Sequence, residues 1–367
     1  MTSVRALIVD DSVVVRHLVS EALGAEPEIE VAGVAADGKI GLAKIDQVNP
    51  DIVILDVEMP VMDGLTTLVE IRRRRPTLPV IMFSTLTQRG AAITVDALAM
   101  GASDYVTKPR ASNPERSIQL IREELVPRIR GLCGIRAAPR QARRDATAPE
   151  APKPAAGPIP PRAGPAPRVD VVAIGVSTGG PNALASLVPA LPAKLPVPVV
   201  IVQHMPPMFT KILAERLDAG SPLHVVEARD GDEIRAGGVW IAPGGLHMIV
   251  ERSGLGPRIR TNQDPPENSC RPSVEPLFRS VATVYGEHVL AAVLTGMGSD
   301  GLRGSEQIRR RGGQVLAQDE ATSVVWGMPG FVAKAGLADA ILPLQALPAA
   351  ILDRVAVGRG LLAGVAS

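Results

Sequence analysis

A serine framed by glycines, Gly175-Val176-Ser177-Thr178-Gly179-Gly180, follows directly on the apolar run VDVVAIGV. The G-x-S-x-G spacing permits a tight strand-to-helix turn that lifts a nucleophilic hydroxyl clear of a sheet, with backbone N–H groups at the helix start available to an oxyanion. The same glycines would also serve a phosphate-binding or helix-entry loop, so the reading depends on partners. Five histidines are available as a general base. His17 falls within a helical stretch, His224 and His288 lie near or before strands, and His247 sits in a turn-and-strand segment; surface or packing roles suffice for these. His204 closes the run VPVVIVQH, at the end of a parallel sheet that would also carry Ser177. Asp300, in the loop Gly296-Met297-Gly298-Ser299-Asp300-Gly301 after HVLAAVLTG, could accept the second imidazole N–H and complete a triad. Taken alone, Asp300 would read as a helix N-cap. The chain order serine, histidine, acid differs from the serine, acid, histidine order of α/β-hydrolases and disfavours a lipase-like fold.

A second group of chemistry-bearing residues lies near the N-terminus. Asp10 and Asp11 close the first apolar run and Asp56 closes the third. In a five-stranded sheet where strand three lies beside strand one, these carboxylates converge. Close like charges raise one another's pKa unless a hard cation neutralises them, and Mg²⁺ with oxygen ligands suits the set. Ser84 ends the fourth run and Lys108 the fifth, so a hydroxyl and an ammonium stand over the same pocket, able to grip a phosphoryl group on Asp56.

The elements that must position these groups are legible from the rhythm of the chain. Before residue 130, short β-branched runs alternate five times with helix-period stretches, the pattern of a parallel sheet covered by helices on both faces. The same alternation returns after residue 168, with further short strands around Val225, Val239 and Met248. The fold class expected is therefore α/β, two doubly wound parallel-sheet domains. Residues 1–130 form the first and 169–367 the second. Residues 131–168, rich in Pro and Ala and carrying the chain's basic excess, read as a linker. The Arg72 to Arg75 run reads as the solvated C-terminal turn of a helix.

Composition narrows the function. The 367 residues carry a net charge of +1 and only 2% aromatic residues, which leaves neither a global field for a polyanion nor stacking platforms for bases. No compact helix-turn-helix pattern marks a transcription factor. A catalytically silent interaction module and a small-molecule esterase are the remaining rivals. Two cysteines, Cys133 and Cys270, make no disulfide framework or zinc spacing. With no signal peptide and no apolar stretch of spanning length, a cytoplasmic protein without membrane insertion is expected.

The words LIVDDS, ILDVEMPVMDG, MFS and YVTKP, over residues 4–122, resemble a two-component receiver domain, which has a flavodoxin-like fold. The resemblance implies that Asp56 accepts phosphate from a histidine kinase and that Asp10, Asp11, Asp56 and the backbone carbonyl of Glu58 hold Mg²⁺. It also implies a cis bond before Pro109 and a switch in which Ser84 and Lys108 engage the phosphoryl group while the region of Tyr105 shifts. GVSTGGP, VQHMP, RPSV, TGMGSDG and AQDEATSVVWGMP, between about Val169 and Val355, resemble the catalytic domain of the chemotaxis protein-glutamate methylesterases, the CheB family. That resemblance implies catalysis by Ser177, His204 and Asp300, with oxyanion donors from the backbone of Met297 and Thr178 and no cofactor in the second domain. The implied substrates are glutamate γ-methyl esters, and selected glutamines, of methyl-accepting chemoreceptors. Gly330-Phe331 after the GMP word departs from the family pattern, where a basic residue followed by a small one is expected.

Overall fold

Ile, Val and Leu dominate the strand segments, and burial on both faces turns them into near-continuous apolar runs, as parallel sheets require. The computed structural model describes residues 3–109, 113–135, 166–254 and 256–359. Most of the expected linker lies outside the described residues.

The first domain contains β1 (Val4–Val9), α1 (Val13–Gly24), β2 (Ile29–Ala35), α2 (Gly38–Val48), β3 (Ile52–Asp56), α3 (Gly64–Arg74), β4 (Val80–Ser84), α4 (Gln88–Ala99), β5 (Asp104–Thr107) and α5 (Pro114–Leu132). Its sheet has the order β2-β1-β3-β4-β5, all pairs parallel. This order puts the ends of β1 and β3 side by side, as expected. Ser12 caps α1 by accepting from the Val15 N–H at 3.3 Å. In the arginine run, Arg73, Arg74 and Arg75 are exposed, but Arg72 is half-buried and donates to the carbonyls of Gly101 and Leu78.

The second domain contains β6 (Val171–Val176), α6 (Gly180–Leu187), β7 (Val199–Gln203), α7 (Phe209–Gly220), β8 (His224–Glu227), β9 (Gly238–Ile241), β10 (His247–Ser253), β11 (Gly256–Asn262), α8 (Val274–Tyr285), β12 (Val289–Val293), α9 (Leu302–Arg310), β13 (Gln314–Gln318), α10 (Met328–Lys334), β14 (Ala340–Leu342) and α11 (Leu347–Ala356). Seven of these strands form one parallel sheet in the order β14-β13-β12-β6-β7-β9-β8. The strand around Met248 is not in it: β10 pairs antiparallel with β11 as a separate hairpin. Among the described residues, no helix is long and apolar enough to cross a membrane.

The two domains share buried surface. One apolar cluster runs from Val95, Leu98 and Tyr105 of the first domain to Phe209, Leu213 and Leu217 of the second. The Tyr105 and Phe209 rings stack with centroids 4.9 Å apart and planes 13° from parallel.

Candidate functional site

β6, β7 and β12 are adjacent, and the loops at their carboxyl ends carry the second domain's candidate residues. Val176 is the register partner of Gln203, so Ser177 and His204 each follow directly on paired positions of neighbouring strands. The Ser177 backbone is fixed at three points. Its N–H donates to Thr295 O at 3.0 Å, and its carbonyl accepts from Gly180 N at 2.7 Å and Gln203 Nε2 at 3.0 Å. Gly179 then turns into α6 with φ +77°, a conformation that would strain an L side chain. Gly296 passes so close to the serine that an added Cβ would lie 2.8 Å from Ser177 Cβ and 2.5 Å from Met328 Sδ, so this position needs glycine.

His204 and Asp300 meet, with Nε2 2.7 Å from Oδ2. Asp300 is buried, yet its oxygens are well satisfied: Asn268 Nδ2 and Ser273 Oγ donate to Oδ1 at 2.8 Å, and the Val274 N–H donates to Oδ2 at 2.6 Å. Burial works against the carboxylate, but the bonds from His204, Val274 and Ser273 outweigh it and hold Asp300 below its ordinary pKa. Burial likewise disfavours a charged His204, and hydrogen bonds to Asp300 and Cys270 overcome it, so the imidazole stands above its usual pKa. The other ring nitrogen, Nδ1, faces Cys270 Sγ at 3.6 Å. No hydrogen bond joins Ser177 Oγ to either ring nitrogen among the described residues. The backbone N–H groups of Thr178 and Met297 also have no acceptor among the described residues.

The N-cap alternative for Asp300 does not describe its role. α9 is capped by Gly301 without a side-chain bond, and Asp300 instead serves the first turn of α8. Glu275 of α8 returns the favour, accepting from Arg303 N at 3.0 Å and Gly304 N at 2.5 Å in the first turn of α9. Burial, with the Asp300 charge beside it, pushes the Glu275 carboxyl up to about 7. A carboxyl raised in the fold contributes fully below its unfolded value of 4.5 and loses that contribution as pH rises through about 7. Glu275→Gln cannot ionise, so its melting temperature should fall less across that interval than wild type, as scanning calorimetry would read.

Three of the histidines set aside from sequence have other partners. His247 is buried between Pro265 O and the Ser273 N–H, His224 is exposed beside Asp218, and His288 faces Arg168 O. His17 is exposed on α1, 3.6 Å from Glu21.

In the first domain, Asp10, Asp11 and Asp56 offer ligand atoms all within 4.8 Å of one another. Lys108 Nζ lies 2.8 Å from both Asp10 Oδ2 and Asp56 Oδ2. Burial and the Asp10 charge push Asp56 up to about 6 against the pull of Lys108. One ammonium among three carboxylates leaves negative charge over, and an all-oxygen donor set fits a hard divalent cation. Glu58 lies on the wall of the same cleft as Asp11. Ser84 is fully buried, and its Oγ lies 3.2 Å from the Gly90 carbonyl and 3.3 Å from the Thr85 carbonyl, the two backbone acceptors for its one proton. The cis bond expected before Pro109 is absent: among the described residues the cis peptide is Arg271–Pro272. A trans X–Pro bond is the lower-energy isomer, and Lys108 reaches both carboxylates with it.

Sequence reasoning missed several contributors. Gln203 braces both loops, donating to the carbonyls of Ser177 and His204, and its only sequence signal was its place before His204. Cys270, Asn268 and Ser273 come from an irregular segment in which Asn268 and Ser269 have positive φ. The first domain also enters the site. Thr178 Oγ1 donates to Asp104 Oδ2 at 2.8 Å, Asp104 faces Arg128 Nε at 3.2 Å, and Met297 and Val325 lie against Gly131 at the end of α5.

A five-stranded receiver-type sheet with a converged acidic pocket, followed by a larger parallel α/β domain with its own polar cluster at the strand ends, defines a response regulator with an enzyme-like output domain. Family models agree with both halves: a response regulator receiver domain matches residues 6–121 and a CheB methylesterase domain matches residues 172–351. A protein-glutamate methylesterase/protein-glutamine glutaminase of Trichodesmium erythraeum is 52% identical, covering 97% of this chain and 100% of that protein. One from a Nocardioides species is 51% identical over 97% of this chain and 96% of its own length. The crystal structure of the Thermotoga maritima CheB methylesterase catalytic domain matches with TM-score 0.50 and 42% identity, covering 50% of this chain and 98% of that one. The chain belongs to the CheB family of receiver-linked methylesterases.

Proposed function

We propose that this chain is a phosphorylation-activated serine hydrolase that cleaves glutamate γ-methyl esters on methyl-accepting chemoreceptors, and that Ser177, His204 and Asp300 carry the reaction. The observation that supports this most is the 2.7 Å His204–Asp300 bond standing beside Ser177 at paired strand ends. His204 takes the proton of Ser177 Oγ as the oxygen attacks the ester carbonyl, forming a tetrahedral intermediate. The N–H groups of Thr178 and Met297 are suited to receive its oxyanion, since no protein acceptor competes for them among the described residues. The intermediate expels methanol, protonated by the imidazolium. Water, deprotonated by the same ring, then attacks the acyl-enzyme, releasing the glutamate carboxylate and restoring Ser177. A glutamine carbonyl follows the same course with ammonia leaving, which makes deamidation the second activity. Each turnover exposes one carboxylate on packed receptor helices and changes their mutual repulsion.

A histidine kinase is the phosphodonor and Asp56 the acceptor. Asp10, Asp11, Asp56 and the Glu58 carbonyl would hold Mg²⁺, which supplies charge neutralisation at the phosphoryl group when bound. β5 links this pocket to the catalytic loops, because Lys108 follows its last residue while Asp104 and Tyr105, at its start, touch Thr178 and Phe209. Ser84 and Lys108, drawn to a phosphoryl group, would pull on β4 and β5 and loosen that contact. The substrate segment is the cytoplasmic part of the receptor, so the enzyme works in the cytoplasm. The test is methanol release from methyl-esterified receptor together with fluorophosphonate labelling of Ser177. A receptor whose methanol yield does not change on adding the phosphorylated protein would end this reading.

A further inference from the structure

The imidazole of His204 has two nitrogens and both are taken. Nε2 is bound to Asp300 at 2.7 Å, and Asp300 is itself held by Asn268, Ser273 and Val274, so that side of the ring is anchored. Nδ1 faces the sulfur of Cys270 at 3.6 Å. For the ring to accept the Ser177 proton, one contact must yield. A thiol is a weak hydrogen-bonding group, whereas the carboxylate bond is short and charge-assisted, so the sulfur contact is the one that gives way. Cys270 is half-buried and adjoins Arg271–Pro272 and the Ser273 cap of α8. The reaction described above assigns it no task.

We infer that Cys270 is a positioning residue for the proposed base: its sulfur holds the Nδ1 edge of His204 in the resting chain and must release it before Ser177 can be deprotonated. This inference rests on the methylesterase reading of the site. It also makes a serine hydrolase sensitive to thiol chemistry. Thiolate attack on iodoacetamide forms a C–S bond and expels iodide, and the added carboxamidomethyl group would occupy the space beside Nδ1 and hold the ring away from the serine. The other cysteine, Cys133, sits at the C-terminus of α5, and burial pushes its thiol up to about 11, which disfavours its thiolate.

The groups facing the ring are Asp300 on one edge and Cys270 on the other, and Ser177 on the neighbouring loop carries no charge. Glu275, Glu267 and Arg279 act one step further out, on Asp300. Loss of the sulfur removes one of the two partners that hold the proton on His204. The acid limb of kcat/KM should therefore move to lower pH in Cys270→Ala.

The experiment uses the full-length Cys133→Ser chain, phosphorylated, with methanol release as readout and mass spectrometry to verify the site of alkylation. Iodoacetamide should modify Cys270 and lower turnover by on the order of 10²-fold, the scale of a disabled general base. Cys270→Ala should resist the reagent and show the shifted acid limb. Complete alkylation of Cys270 with turnover unchanged would overturn the inference. So would a uniform drop in Cys270→Ala with no shift of the limb, which would mark the cysteine as packing alone. The alkylation arm needs no variant at Cys270, so it decides the matter even if Cys270→Ala does not fold. Undiminished methanol release by Ser177→Ala would instead defeat the underlying methylesterase assignment, and the inference with it.

Discussion

Ser177→Ala should reduce methanol release from methylated receptor to background, and His204→Ala should lower it by roughly 10²- to 10⁴-fold. The two effects should not multiply. Residues that act as one unit lose most of their joint contribution when either is removed, so the double variant should be no slower than the worse single one by more than a small factor. Asp300 requires a gentler substitution. Its carboxylate accepts from Asn268, Ser273 and the Val274 N–H as well as facing His204, so alanine would leave buried donors unpaired and endanger the fold. In Asp300→Asn an amide oxygen at the Oδ2 position still accepts from the Val274 N–H and meets Nε2, but the negative charge that holds the imidazolium is gone. The expected outcome is a folded protein with turnover reduced at least about 10²-fold. Headspace methanol, with circular dichroism as the folding control, measures all three. Full activity in Ser177→Ala would remove the serine from the chemistry.

Much of this site was readable before any coordinates because each proposed catalytic residue closes, or closely follows, a strand of one parallel sheet. Ser177 follows β6, His204 follows β7, and Asp300 lies in the loop after β12, and these strands are neighbours. The same logic brought Asp10, Asp11 and Asp56 together. What periodicity could not reveal is which irregular segments fold back over the strand ends. Cys270, Asn268 and Ser273 reach His204 and Asp300 from a stretch without regular structure, and nothing in the spacing of the chain measures that approach. Met248 was correctly read as a strand residue, but strand propensity does not specify a partner, and its strand pairs in a hairpin outside the main sheet. The strand Gln314–Gln318 is not among the sheet elements that the sequence rhythm revealed. Ser84 was placed at the right strand end, but the direction of a hydroxyl is a rotamer choice that its local acceptors decide.

Removing residues 1–135, or weakening their grip by Tyr105→Ala in the full chain, should raise methanol release by the unphosphorylated protein tenfold or more. The magnitude follows from the contacts between the two domains. The Tyr105–Phe209 stack contributes about 1 kcal/mol beyond its buried area. The buried bond from Thr178 Oγ1 to the Asp104 carboxylate adds about 2 kcal/mol. Arg216 joins them through an ion pair with Asp96 and a 2.8 Å bond to Val95 O, of which the exposed ion pair contributes little. If the receiver covers the serine as proposed, these contacts would hold it closed by about a few kcal/mol, and their loss would shift the open population by roughly one to three orders of magnitude. Thr178 adjoins Ser177 in sequence, which makes the covering contact and the proposed oxyanion donor neighbours on one loop. Phosphorylation of Asp56 should then raise wild-type activity strongly and Tyr105→Ala only slightly, because the variant has already lost the contact that phosphorylation is proposed to loosen. Equal stimulation of both proteins, or a truncated chain no faster than the resting full-length one, would mean that the receiver controls turnover by some route other than covering the serine.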